Sequence, residues 1–318
     1  MSQPPSSPPL RIVYFGTPAF AVPTLAALLK SRHTVVALVS QPDRPSGRGH
    51  RVAATPTKTL AALTGVPVLQ PTRLRDEAFL GEIAARRPDL GVVAAYGRIL
   101  PDALLEIPRL GMINVHASLL PAWRGAAPIH RAVIAGERVT GVTIMRVVQE
   151  LDAGAMMARV EVPIAPEATS VEIEGQLAEK GAALLLEVVE QLAAGTATEA
   201  PQDHGLATYA AKITRAEGPI DWTLPATRIH NQVRGLQPWP LASTTIGGIR
   251  CLIHETRVEE ESGSEPGTVL RAEGDVLLVA AGAGALRILE IQAEGRRPVT
   301  TREFLSGHRV SPGVRLPS

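Results

Sequence analysis

Asn114 and His116 stand two residues apart in the run Gly111-Met-Ile-Asn-Val-His-Ala-Ser-Leu-Leu-Pro121, which reads as a short strand broken between Ser118 and Pro121. Side chains alternate across a strand, so Asn114 and His116 share one face while Ile113 and Val115 take the other. An amide donor and an imidazole therefore lie side by side where a strand ends. In open α/β sheets that end is where ligands bind. The same two groups could equally satisfy the backbone of the following turn, and the pair alone leaves both readings open. After Gly125 the chain restarts as a helix, with Pro128 in the first turn, where a missing N–H costs little. A third polar group, Asp152, sits in Glu150-Leu-Asp-Ala-Gly154 between two strand patterns. Its carboxylate can orient an imidazole or a water, or simply make an Asx-turn ahead of Gly154.

The elements that must position these residues alternate between strand and helix signals from Leu10 onward. A buried strand over 11–15 ends at Gly16, and Thr17-Pro18 reads as an N-cap and first helical residue opening a helix to about Lys30. The turn between them holds one glycine, whereas a dinucleotide site needs Gly-x-Gly-x-x-Gly, which argues against a nicotinamide or flavin enzyme. A second strand over 34–40 feeds a long loop, 41–51, that carries Arg44, Arg48 and Arg51 against Asp43. Loops of that length inside a compact domain are functional or disordered, and composition alone favours a solvated surface loop. A helix from about Thr57, a strand over 66–69 and a helix over 76–87 follow. The apolar strand 90–96 is of the kind a parallel sheet buries on both faces. Strand patterns over 140–148 and 155–164 flank the Asp152 turn, and an amphipathic helix over 170–194 closes the unit. Repeated βα units ending in an antiparallel pair predict a doubly wound domain with a mixed edge.

The length of 318 residues suggests two domains. Small polar residues over 196–207 suit a linker, giving a folded domain over 10–195 and a second over 208–318. The second part has one helix, 225–234, and short strands at 250–257, 267–271, 275–281 and 285–292 separated by glycine turns, which suggests a small β-barrel or sandwich. With a net charge of +1, any basic surface must be local. The single Cys251 excludes a disulfide framework, and eight histidines without metal-ligand spacing give no support to a metal site. No apolar run is long enough to span a bilayer. Residues 1–9 lack the features of a signal or transit peptide and are expected to be a disordered lead, with the protein cytoplasmic.

Asn114-Val-His116-Ala-Ser-Leu-Leu-Pro121, followed by Arg124-Gly-Ala-Ala-Pro-Ile129, resembles the signature of the folate-dependent formyltransferases, with Asp152 in the place of their catalytic aspartate. Phe15-Gly-Thr-Pro18, the stretch 41–49, Val142-Thr-Ile-Met145, Ile220-Asp-Trp222 and Pro238-Trp-Pro240 narrow the resemblance to the methionyl-tRNA formyltransferase branch. It runs from Arg11 to about Phe304. It implies a Rossmann-like formyltransferase domain followed by an OB-like barrel that binds tRNA. It also implies transfer of formyl from the cosubstrate 10-formyltetrahydrofolate, without a metal, to the amino group of initiator Met-tRNA, by a monomer. Members often carry a base where Ala122 stands, and Leu-Asp-Thr-Gly-Asp where this chain ends in Ala155. Position 155 does not align with the catalytic acid, and the missing base at Ala122 is expected to weaken a phosphate contact slightly.

Formyl transfer needs an oxyanion donor, a proton carrier and a group that orients it. Those roles suit the Asn114 amide, the His116 imidazole and the Asp152 carboxylate respectively. The resemblance further implies a folate wall from Ser118, Leu119, Leu120 and Pro121, and a pterin slot from the backbone of Ala94, Ala95, Tyr96 and Gly97. It assigns tRNA contacts to Arg44, Arg48 and Arg51. Ser118 has no nucleophile elbow around it, and His130, inside the following helix, reads as structural. Two rivals share these residues: a formyltransferase acting on a small amine such as glycinamide ribonucleotide, and a tRNA-binding protein that kept the fold without catalysis. An intact Asn114–His116–Asp152 set argues against the second.

Overall fold

The computed structural model describes residues 7–46, 51–261 and 263–317. The chain divides into two compact units. The first comprises Met1–Pro128, Val139–Pro163 and Glu174–Ala210, the second Ile129–Arg138, Ile164–Ile173 and Ala211–Ser318.

In the first unit, β1 (Arg11–Gly16), α1 (Ala21–Lys30) and β2 (Thr34–Val39) begin the alternation. A hairpin of β3 (Arg44–Ser46) and β4 (Arg51–Ala53) precedes α2 (Pro56–Thr64), β5 (Val68–Leu69), α3 (Glu77–Ala85), β6 (Leu90–Ala94) and α4 (Asp102–Leu105). Then come β7 (Met112–His116), β8 (Arg124–Gly125), β9 (Val139–Arg146), β10 (Met156–Pro163), most of α6 (Ser170–Ala194) and β11 (Tyr209–Ala210), while α5 (Pro128–Ala135) falls almost wholly in the second unit. The seven-stranded sheet runs β10-β9-β7-β6-β1-β2-β5. Its strands from β5 to β7 are parallel, while β9 is antiparallel to both β7 and β10. This is the doubly wound sheet with a mixed edge that the sequence predicts. Strand order reverses beside β1, so the crevice at the carboxyl ends of β1, β6 and β7 is where such a sheet binds ligands.

Both faces of the sheet are covered. Val13 and Phe15 of β1 join Phe79 of α3 and Leu104 of α4 in one cluster. The alternate residue Tyr14 donates its hydroxyl to the carbonyl of Ala21 in α1 at 2.7 Å. Helix starts follow local chemistry. Thr55 caps α2 by accepting from Lys58 N–H, and Asp76 caps α3 by accepting from Ala78 N–H at 2.9 Å. Replacing Asp76 by Ala is expected to cost about 1 kcal/mol of unfolding free energy. A urea titration should show a lowered midpoint at unchanged slope; an unmoved midpoint would show that the cap contributes nothing.

Three local expectations are corrected. Thr17 and Pro18 do not open α1, because Pro18 and Ala19 carbonyls accept from Ala21 and Val22 N–H groups in a turn that delays the helix to Ala21. The Thr17 hydroxyl instead accepts from Gln41 N–H at 3.2 Å, tying the ends of β1 and β2 together. The stretch 41–51 is not all loop: Arg44 pairs with Ala53, Pro45 with Val52 and Ser46 with Arg51 in an antiparallel register. Nor is 196–207 a free tether, since Gln202 in it is buried.

The second unit holds α7 (Ala226–Gly235), β12 (Ala242–Ile246), β13 (Ile249–Glu259), β14 (Val269–Glu273), β15 (Val276–Ala280), β16 (Ala285–Ala293), β17 (Val299–Thr300) and α8 (Thr301–Gly307). Its strands form an antiparallel sheet in the order β12-β13-β16-β15-β14, with β17 on β16. Alternating residues Cys251, Ile253, Leu286 and Ile288 join Trp222, Ile229, Val233 and Phe304 in one core. Burial there pushes the Cys251 thiol up to about 11, so it stays protonated and inert.

Candidate active site

Strand β7 sets the first two groups. Val115 faces α6, where a Cβ placed on Gly181 would lie 3.1 Å from its methyl. Asn114 and His116 therefore look to the opposite face, the one on which Met112 packs with Val13 and Phe15. His116 is buried, and its Nε2 lies 3.0 Å from the Trp123 carbonyl. A carbonyl can only accept, so Nε2 carries the hydrogen and Nδ1 is the nitrogen left to take a proton. Nδ1 faces Asp152 Oδ2 at 3.7 Å, beyond direct hydrogen bonding. The same Oδ2 accepts from Gly125 N–H at 2.8 Å, which aims the carboxylate. Among the described residues, none hydrogen-bonds the side-chain amide of Asn114, which is half-buried at the strand end and free to donate to a ligand oxygen.

The loop that joins these groups is built tightly. The Thr143 hydroxyl donates to the Ser118 carbonyl at 2.7 Å and accepts from Leu120 N–H at 3.1 Å. Ser118 donates its own hydroxyl to the Ala122 carbonyl at 2.6 Å, so it braces the loop and is no nucleophile. Trp123 N–H donates to the Thr208 hydroxyl at 2.8 Å, and β8 pairs in parallel with β11. Asp152 sits at φ 48, a left-handed conformation that Asp tolerates better than most residues. Gly154 beside it is required: a Cβ there would lie 2.0 Å from the Arg146 carbonyl oxygen. Sequence reasoning groups Asn114, His116 and Asp152; the structure brings His116 and Asp152 within 3.7 Å and sets Asn114 two residues before His116 on β7. It misses Thr143, Gly125 and the buried Arg124, whose partner Gln202 lies in the stretch read as a linker.

The other expected residues are distributed as follows. Leu120 is buried, whereas Leu119 and Pro121 are half-buried beside the loop. Ala94 ends β6; Ala95 at φ 46 and Gly97 at φ 77 turn the chain away from it. Tyr96 buries its ring edge-on against Phe15, with centroids 5.6 Å apart, so only its backbone faces the strand end. The Tyr96 carbonyl accepts from Gln41 Nε2 at 2.7 Å, and the Gln41 side-chain oxygen accepts from Arg44 at 3.2 Å. Lys58 donates to Asp43 and to Gln70 at the base of the hairpin. The Lys58 ammonium, then the Gln70 amide, hold the Asp43 carboxyl below the usual carboxylate range. Arg44 is exposed at the start of β3, Arg51 begins β4, and Arg48 lies outside the described residues. His130 Nδ1 is 2.8 Å from the Gly235 carbonyl, a structural contact. Among the described residues, no group of three or more His, Cys, Asp or Glu is arranged to hold a metal.

An unpartnered amide and an imidazole with its free nitrogen held toward a carboxylate can stabilise a developing oxyanion and carry a proton off an attacking nucleophile. Comparison with known proteins agrees with that chemistry. The family described as formyl transferase matches residues 10–189, and its C-terminal domain matches 212–309. The chain is 45% identical over 309 residues to methionyl-tRNA formyltransferase of Ectopseudomonas mendocina, covering 96% of this chain and 98% of that protein. The chain belongs to the methionyl-tRNA formyltransferase family. A second relative of the same name, from Geobacter sulfurreducens, is 43% identical over 307 residues, 96% of each chain. Solved structures share the family fold at lower identity. WlaRD, a sugar 3N-formyl transferase in the presence of dTDP and 5-N-formyl-THF, superposes with a TM-score of 0.67 at 16% identity, over 91% of this chain and 99% of its own. HypX from Aquifex aeolicus in complex with tetrahydrofolic acid gives 0.65 at 20% identity, over 95% of this chain and 49% of its own.

Proposed function

We propose that the chain transfers the formyl group of 10-formyltetrahydrofolate to the amino group of methionine on initiator Met-tRNA. The observation that carries this reading is that the likeness to methionyl-tRNA formyltransferases runs through both units and is not confined to the catalytic one. A small-amine enzyme would need only the crevice. The donor supplies an activated formyl carbon; the residues do the rest. Asn114 donates its amide N–H to the formyl oxygen as negative charge develops there. His116 takes at Nδ1 the surplus proton of the attacking methionyl nitrogen and can return it to the folate nitrogen as the old C–N bond breaks. Asp152 stabilises the ring while it is charged. The Ser118–Pro121 wall and the Ala94–Gly97 strand end hold the folate largely through backbone. No described helix is long and apolar enough to cross a membrane; the role in translation is what assigns the chain to the cytoplasm.

The second unit is assigned the body of the tRNA, and the hairpin over 41–53 its acceptor end. Arg44, Arg48 and Arg51 give that hairpin local positive charge in a chain of net charge +1. Arg can pair with phosphate, stack on an unpaired base or read a guanine edge, which Lys does less well. A first acceptor pair that is weak costs less to open, and that difference would be the source of selectivity. The test offers labelled 10-formyltetrahydrofolate with initiator Met-tRNA, with a version whose first acceptor pair can close, and with glycinamide ribonucleotide. Label is expected on the initiator tRNA, with the closed stem disfavoured and the small amine unlabelled. Label on the small amine alone would overturn the reading. Arg48→Leu should raise the KM for initiator Met-tRNA and blur the preference between the two stems; an unchanged preference would return the hairpin to a solvated surface role.

A further inference from the structure

We infer that Gln202 is a positioning residue for Asp152, an inference that rests on the role proposed above for that carboxylate. Gln202 is 5% exposed, in a stretch whose composition resembles a tether. Its Oε1 accepts from Arg124 Nε at 3.1 Å and from Arg124 Nη2 at 2.8 Å. Its Nε2 donates to the carbonyls of Asp152 and Gly154, each at 2.8 Å. A guanidinium only donates and a carbonyl only accepts, so the amide has one possible orientation and all four of its hydrogen-bonding positions are filled.

What it joins matters for the reaction. Arg124 is 1% exposed and lies between Trp123, whose carbonyl accepts from His116, and Gly125, whose N–H aims Asp152. Gln202 thus fastens the turn carrying Asp152 to the loop that orients His116. Asp152 is at φ 48, a backbone the chain does not adopt freely, and the clamp on its own carbonyl and on that of Gly154 holds it there. With the clamp gone, the turn can relax and the 3.7 Å approach of Oδ2 to Nδ1 is lost. A Cβ on Gly154 is already excluded by the Arg146 backbone, so the turn has one packed arrangement to relax from.

A purely structural duty, giving buried Arg124 a partner, would be met at least as well by Glu. Gln202→Glu keeps the size and supplies a charged acceptor to Arg124, but it turns the two donors into an acceptor facing two carbonyls. Gln202→Met removes the donors without adding charge. The full chain and both variants are compared by thermal melting and by steady-state formylation of initiator Met-tRNA. In Gln202→Glu kcat is expected to fall by about 10- to 100-fold while both KM values stay within about threefold, the signature of misplaced catalytic groups. Should Gln202→Glu fold poorly, Gln202→Met is read the same way. An active wild type with wild-type kcat in a folded variant overturns the inference alone. Loss of the fold in both variants also overturns it, since Gln202 would then support the whole unit and not the turn. A wild-type chain unable to formylate Met-tRNA overturns the proposed function and this inference together.

Discussion

Replacing Asp152 by Asn is expected to lower turnover in formyl transfer to Met-tRNA by about 100-fold or more. The substitution keeps the shape of the side chain and can still accept from Gly125 N–H, whose bond to Oδ2 is 2.8 Å. What it removes is the negative charge 3.7 Å from His116 Nδ1. The imidazole Nε2 is committed to the Trp123 carbonyl, so a proton taken from the attacking amine must arrive at Nδ1, where Asp152 is the carboxylate at hand. A neutral amide there leaves the charged ring without its partner at the moment it forms. The KM for 10-formyltetrahydrofolate should move by less than about threefold, because the groups proposed to hold folate are mostly backbone. Near-normal turnover in Asp152→Asn would sink the mechanism.

Gly154→Ala is expected to be nearly as damaging, for a steric reason. Its Cβ would fall 2.0 Å from the Arg146 carbonyl oxygen and 2.8 Å from the carbonyl carbon. Neither atom can yield as a flexible side chain would, because Arg146 ends β9 and its N–H donates to the Ala155 carbonyl at 2.9 Å. The turn must therefore move, and Asp152 moves with it. A displacement on the order of 1 Å at a catalytic group can cost about 100-fold in rate. Steady-state formylation and a thermal melt should show both a lost kcat and a lowered Tm. Wild-type values for both would mean that the turn is more pliable than its packing implies.

The parallel core was legible because each of its strands is a run of apolar and β-branched residues, and the one long helix, α6, shows its period over 25 residues. Asn114 and His116 were legible from alternation on a single strand. Asp152 was placed by resemblance, since an Asp-x-Gly turn by itself signals little. Other features depend on partners far away in sequence. Gln202 reads as one more polar residue in a small-residue stretch, and Arg124, the residue that explains it, is 78 positions away. Thr17 looked like a helix cap, but its hydroxyl is taken by the end of β2, a tertiary contact that overrides the local signal. Strand β12, Ala-Ser-Thr-Thr-Ile246, is too short and polar to stand out. Helix α8 was overlooked although Thr300 and Glu303 form a capping box whose spacing the sequence displays.

The central claim is that Asn114, His116 and Asp152 act as one constellation in formyl transfer. It is tested most directly by single-turnover transfer from labelled 10-formyltetrahydrofolate to initiator Met-tRNA. The rates to compare are those of the wild type, Asn114→Ala, His116→Ala, Asp152→Asn and the chain carrying all three. Groups that work as a unit do not contribute independently, so the triple variant should be about as slow as the slowest single variant. If the triple variant transfers formyl at the wild-type rate, or if the three single losses simply multiply, the account of this crevice is contradicted.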